Sequence, residues 1–92
     1  MVRITFDPGK RARTLAERGL DFAEAVYVFE SDTIEIDDTR RDYGERRVVC
    51  YARLHGRLIV LVYVPRGDTR HIISMRKGNA RERRRFVPNL GL

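Results

Sequence analysis

A single cysteine, Cys50, stands among the 92 residues of the chain. One thiol excludes an intrachain disulfide framework and any zinc site built from paired cysteines. Long apolar runs are missing too. Nothing approaches the roughly 18 uninterrupted apolar residues that a membrane-spanning helix needs, and Met1 to Lys10 lack the apolar stretch of a secretory signal. The expectation is therefore a cytoplasmic protein with no membrane association. Histidine is scarce as well: His55 and His71 are the two present. His55 falls in a turn, so imidazole chemistry rests on His71, whose plainer reading is a partly exposed, inert side chain. The carboxylates Asp32, Glu35, Asp37, Asp38 and Asp42 have neither the spacing nor the glycine of a calcium loop. No metal and no cofactor is expected.

What the chain does have is positive charge. Nineteen Lys and Arg against thirteen Asp and Glu leave a net +6, with a pI near 10.2. That balance favours an acidic partner: nucleic acid, an acidic protein or an anionic surface. The charge is uneven, with +1 over residues 1–29, −5 over 30–45, +4 over 46–65 and +6 over 66–92. The positive field belongs to the C-terminal half, behind an acidic middle that either shields it or is a solvated connection. A chain of this length holds one core, so residues 1–92 are expected to form a single domain.

The local signals predict an α+β fold. Ile4 and Phe6 alternate with Arg3 and Thr5 as in a strand, and Asp7-Pro8 followed by Gly19 brackets a helix over about 8–18. Asp21 and Glu24 mark a second start, with Phe22, Ala25, Val26 and Phe29 at the spacing of a buried helix face. Ile34 and Ile36 alternate within the acidic segment, as in a charged edge strand. Residues 46–54 and 57–64 form a hairpin about His55-Gly56, and the apolar run 58–62 predicts a central strand covered on both sides. A further strand over 69–76 and a basic helix opening at Asn79 complete the order β-α-α-β-β-β-β-α. Short turns between consecutive strands predict a largely antiparallel sheet of four to five strands, with two helices before it and one after.

The chemistry concentrates where the last strand hands over to the basic helix. Arg76 at the strand's end and Glu82 in the helix's first turn would meet at that junction, with His71 upstream. Arginine stays charged, so Arg76 would stabilise charge on a phosphate, and Glu82 or His71 would move protons. The same pair also reads as a plain salt bridge, with Glu82 as the carboxylate of a capping box. Strict alternation places Arg70, Ile72, Ser74 and Arg76 on one side of the strand and His71, Ile73 and Met75 on the other. His71 and Arg76 then share a face only if a bulge intervenes. The run Arg81-Glu82-Arg83-Arg84-Arg85 covers more than one helix face, so two or three of its arginines at most would engage one phosphate chain. Such clusters bind nucleic acid through counterion release.

Several segments in order resemble the BrnT family of bacterial toxins. They are Phe6-Asp7-Pro8 with Lys10, Gly19-Leu20-Asp21-Phe22 with Ala25 and Val28-Phe29, Glu45 and Arg47, Ile72-Ile73-Ser74-Met75-Arg76, and Glu82-Arg83. The resemblance implies a RelE-like fold and cytoplasmic, ribosome-independent or loosely ribosome-linked cleavage of RNA. It also implies a BrnA-like antitoxin whose ribbon-helix-helix part binds promoter DNA. Arg76, Glu82 and Arg83 would be functional positions, with Arg47 and His71 nearby. The chain departs from the family where Phe6 stands for tryptophan, Arg18 for histidine, His71 for arginine and Phe86 for tyrosine. A tyrosine acid at the last of these is excluded.

The expectation is thus an endoribonuclease in which the RNA 2′-hydroxyl attacks the adjacent phosphorus. Arg76, Glu82 and His71 would be catalytic, and Arg47, Arg70, Lys77, Arg81 and Arg83 would hold RNA. The antitoxin would cover the same basic face. The rival expectation is a basic module that binds an antitoxin or nucleic acid and cleaves nothing.

Overall fold

In the computed structural model, which describes residues 2–91, alternation in the first residues produces β1 (Arg3–Phe6). Asp7 and Pro8 end it and start α1 (Pro8–Arg18). The Asp7 carboxylate accepts from the Gly9 N–H, and Gly19 closes the helix with φ 68°, a left-handed conformation that suits a residue without Cβ. Asp21 caps a 3-10 turn, Phe22–Glu24, which leads into α2 (Ala25–Glu30). Four strands follow: β2 (Thr33–Asp37), β3 (Val48–Leu54), β4 (Arg57–Arg66) and β5 (Thr69–Lys77). The short helix α3 (Ala80–Phe86) and a 3-10 turn, Val87–Asn89, end the described chain. Among the described residues no helix is long and apolar enough to cross a membrane.

The strands form one sheet in the order β1-β5-β4-β3-β2. Neighbours from β2 to β5 are antiparallel, and β1 lies parallel to β5. The sheet is therefore five-stranded and mixed, where short turns predicted a largely antiparallel one. The reason is that no hairpin links β1 to its neighbour, so no turn dictates its direction. The β3–β4 hairpin turns at His55 (φ 51°) and Gly56 (φ 76°), two left-handed residues whose twist matches that of the strands. β4 lies at the centre and buries Leu58, Ile59, Val60 and Leu61.

One face of the sheet carries the main core. Phe22, Ala25 and Val28 pack there on residues such as Cys50, Leu61, Ile72 and Met75, all fully buried. Helical spacing pointed to Val26 as a core residue. The structure half-buries Val26 and buries Val28, because the 3-10 turn advances each residue further around the axis than an α-turn does. The opposite face holds a smaller cluster, in which Phe86 and Leu90 pack on Leu58. There Phe86 stacks on Tyr51 with ring centroids 3.9 Å apart and planes at 21°.

Two features of β5 position everything that follows. The first is a bulge: Val62 pairs with Ser74 and Tyr63 with Ile72, which leaves Ile73 extra. This corrects the strict alternation. Arg70 and Ile72 face the main core together with Met75, and His71 joins Ser74 and Arg76 on the opposite face through the pairs Val64–His71, Val62–Ser74 and Val60–Arg76. The second is a free edge. β1 pairs only with Thr69 to Ile72, so β5 has no strand beyond that point. There α1, which buries none of its own side chains, lies alongside, and Arg18 Nη1 donates to the Met75 carbonyl at 2.9 Å.

Candidate functional site

The face opposite the main core is only partly covered by α3. The uncovered part is a groove of about 440 Å³, within the size range of ligand sites. Val49, Tyr51, Val60, Val62 and Ser74 form its floor, Arg76, Glu82 and Arg85 one wall, and Ile36 to Arg40 the other. An apolar floor between charged walls follows from the strand pattern. β3 and β4 alternate toward a face that α3 is too short to shield, while loop and helix bring charge to the rims.

The geometry of the first wall is set by the junction after β5. Gly78 donates its N–H to the Leu58 carbonyl at 2.9 Å. Its position leaves no room for a side chain, since a Cβ would stand 2.5 Å from Leu58 Cδ2 and 2.8 Å from Cγ. Asn79 then caps α3 by accepting from the Glu82 N–H, and Glu82 Oε1 accepts from the Asn79 N–H at 2.9 Å. The same carboxylate accepts both Arg76 terminal nitrogens, Nη1 at 2.7 Å and Nη2 at 2.8 Å. Arg76 Nη1 also donates to the Lys77 carbonyl. Of the five guanidinium N–H groups, Nε–H and one on Nη2 stay available. The Arg76 side chain is 44% exposed and that of Glu82 14%.

Electrostatics follow from these contacts. The Arg76 guanidinium holds the Glu82 carboxyl down to about 2, and the pair pushes Arg76 up from its ordinary value. Both therefore stay ionised at neutral pH. On the facing wall Asp38 is nearly covered, at 2% exposed, and accepts from Arg40 and from the Tyr43 hydroxyl. Arg40 depresses the Asp38 carboxyl strongly and is itself raised.

The other residues nominated by sequence are dispersed. His71 lies on the groove's side of the sheet but outside the groove, with Nδ1 sharing a 2.8 Å hydrogen bond with Thr5 Oγ1. Burial, then the charge of Arg66, lowers its pKa, so the ring is mainly neutral at pH 7. Five residues separate it from Arg76, at most about 17 Å along an extended strand. Arg47 stacks over Tyr43 at 4.0 Å, and its Nε is buried without a hydrogen-bond partner among the described residues. Arg70 lies over the rings of Phe29 (4.4 Å) and Tyr63 (5.1 Å) on the main-core face. Lys77 pairs with Ile59 on that same side. Arg81 is exposed on α3, and Arg83 Nη1 donates to the Gly78 carbonyl at 2.9 Å, which ties the helix to the junction.

The groove thus unites Arg76 with Glu82 and leaves Arg70 and Lys77 on the far side of the sheet. It also contains Arg40, Arg85, Ser74 and Tyr51, none of which was nominated as a site residue. Arg85 was visible as one of a run. Ser74 was visible as sharing the face of Arg76 by alternation, whereas Arg40 needed the fold of its loop, for which the sequence carried no signal.

The groove thus sets a cationic wall, held in place by a carboxylate, against a partly apolar floor. The chain belongs to the family described as ribonuclease toxin, BrnT, of type II toxin-antitoxin systems, which it matches over residues 6–82. No curated protein matches it. Membership makes the chain the toxin component of such a system, with an antitoxin as partner and RNA as substrate class. Arg76 and Glu82 lie inside the matched region, and Arg85 and Phe86 lie beyond it.

Proposed function

We propose that the chain is an endoribonuclease that cleaves RNA by attack of the substrate's own 2′-hydroxyl. The 2′-oxygen bonds to the adjacent phosphorus, the bond from phosphorus to the 5′-oxygen breaks, and the products are a 2′,3′-cyclic phosphate and a 5′-hydroxyl. The 2′-proton passes to a base, and a proton reaches the leaving oxygen. No cofactor takes part, since the nucleophile is already in the RNA.

The observation that carries this reading is the arrangement of Arg76: a permanently charged guanidinium on the wall of an open groove, held from one side by Glu82, with two donors left over. Those donors would meet the charge that builds on the phosphoryl oxygens. Glu82 accepts three hydrogen bonds and has a pKa near 2, so its proton affinity is low and it serves as the positioning residue for Arg76. His71 is neutral and on the same face, but it lies outside the groove and is bonded to Thr5, too far from Arg76 to take the 2′-proton directly, so that proton would pass to water. Arg81 and Arg83 flank the wall and would contact the RNA backbone, with Arg47 at the far side. Arg70 and Lys77 would contribute to the general field alone.

The RelE-like architecture, the cytoplasmic location and the single-domain organisation belong to this reading. So does an antitoxin of the BrnA kind, whose ribbon-helix-helix part would carry promoter binding. Charge complementarity would bring it onto the arginines of α3. One observation favours a second reading, in which the chain binds RNA or antitoxin without cleaving: both Glu82 oxygens are already taken up by Arg76 and Asn79.

The decisive assay incubates purified protein with 5′-labelled RNA in excess EDTA, beside Arg76→Ala and His71→Ala proteins. The wild type is expected to leave cyclic-phosphate ends. Arg76→Ala is expected to lose on the order of 100- to 1000-fold in rate, and near-normal cleavage by it would sink the assignment. His71→Ala is expected to cleave at a near-normal rate, since the ring lies outside the groove, and a loss as large as that of Arg76→Ala would place it in the reaction. Intact RNA throughout would establish the binding module.

A further inference from the structure

The groove does not end at Ser74. A second depression of about 210 Å³ opens on the other side of that residue, between β5 and α1, and Ser74 lines both. Its walls are Lys10, Arg13, Thr14, Glu17 and Arg18, with Phe22 and the bulged Ile73 beneath. Positions 10, 13, 14, 17 and 18 are one stripe of a helix, so α1 turns a single polar face toward this depression. That face carries three cations against one carboxylate. Arg18 is anchored by its bond to the Met75 carbonyl. Lys10 and Arg13 form no ion pair among the described residues, whereas Arg11, on a different side of the helix, is spent on Asp21 at 2.7 Å.

The geometry points to a continuous single-stranded RNA path, in which the chain bound in the groove crosses Ser74 and continues along α1 with Lys10 and Arg13 on its phosphates. It rests on RNA being the ligand of the groove. Three observations converge on it. The two depressions share a small residue at their meeting point, where a large one would form a barrier. The bulge leaves Ile73, the neighbour of Ser74, unpaired and lining the second depression. And β1 stops at Phe6, so the far edge of β5 is flanked by a cationic helix instead of another strand. From Lys10 to Arg18 the stripe is about 12 Å long, room for roughly three nucleotides at about 3.4 Å each. The helix that contributes no buried side chain to the core is, on this account, an extension of the binding surface. Cleavage of long RNA would then be favoured over that of short fragments through KM, with kcat set in the groove.

The test is fluorescence anisotropy of labelled single-stranded RNAs of four and of twenty nucleotides, titrated with the full chain at several salt concentrations. The proteins are the wild type, Lys10→Ala/Arg13→Ala, and Arg3→Ala/Arg57→Ala as a control that removes two cations elsewhere. Alanine is favourable on an exposed helix face, so the first variant is expected to fold, as circular dichroism would verify. For the twenty-nucleotide RNA its Kd should rise about tenfold. Its plot of log affinity against log salt should flatten by about 1.4, the effect of two lost phosphate contacts on a single strand. For the four-nucleotide RNA its Kd should match the wild type, and the control should match on both. An unchanged slope on the long RNA, an equal loss on the short one, or an equal loss in the control would each overturn the path. RNA binding by the wild type without cleavage leaves this test in force while ending the nuclease reading; no binding at all overturns both.

Discussion

The two faces of the sheet are made by alternate residues of the same strands and do opposite things. On one, Cys50, Leu61, Ile72 and Met75 are fully buried under the 3-10 turn and α2. On the other, Val49, Val62 and Ser74 are half-exposed on the floor of a groove, with charge along both rims. Burial of apolar area drives folding, so the first face supplies most of the stability. The second retains apolar surface that the fold leaves unshielded, which is the kind of surface a base needs in order to stack. On the proposed reading, stability and binding are thereby separated by one step along a strand. The separation also sets the state of Cys50: burial pushes its thiol up to about 12, so it stays protonated at neutral pH.

Neighbouring residues of β4 give the sharpest way to break the comparison. Leu61→Ala should cost about 2–5 kcal/mol in a denaturant titration and leave the RNA affinity of the folded fraction unchanged. Val62→Ala should cost less than about 1.5 kcal/mol and weaken RNA binding. Similar stability losses in the two variants would mean that the groove floor is core after all. A smaller effect is expected at the seam between the faces. Gly78→Ala drives a methyl into Leu58 and should destabilise by about 1–3 kcal/mol, while reducing cleavage more than that loss of folded protein accounts for. The reason is that the junction fixes both Arg76 and Glu82. If activity tracked the folded fraction alone, the junction would be structural only.

The smallest effect expected is on pH. The Glu82 carboxyl sits at about 2 in the folded chain against an ordinary 4.5. A depressed acid contributes stability that is fully present above its unfolded value and is lost as pH falls through the folded one. Acid titration from pH 5 to 2 should therefore show a loss on the order of 1–2 kcal/mol that is absent in Glu82→Gln, the half-exposed Arg76 limiting its size. Identical acid profiles would show that the pair is screened.

Much of the architecture was legible because its signals are local. Asp7-Pro8, Gly19, His55-Gly56 and the Asn79–Glu82 spacing each specify a cap or a turn by the chemistry of two or three adjacent residues. The pairing of Arg76 with Glu82 followed from the same proximity along the chain. The bulge at Ile73 did not, since it is settled by how β5 registers on β4, and neither strand alone records that choice. Its effect was large: it moved His71 onto the face of Arg76 and Arg70 away from it. The direction of β1, the place of Arg40 in the groove and the switch from 3-10 turn to α2 were illegible for the same reason. β1, for instance, takes its direction from Thr69 to Ile72 of β5, at the other end of the chain.

α3 has seven residues, fewer than a helix needs to persist in water by itself. It is held by Phe86 and Leu90 on Leu58, by the stack of Phe86 on Tyr51, and by its cap. Glu82 belongs to that cap and to Arg76 at once. Local opening of such a segment is cheaper than global unfolding, and each opening releases the guanidinium from its mooring while the sheet stays intact. If Arg76 acts as proposed, the potency of the toxin would be a population, the fraction of chains whose tail is docked at a given moment. Warming would then drain that population before it melts the sheet.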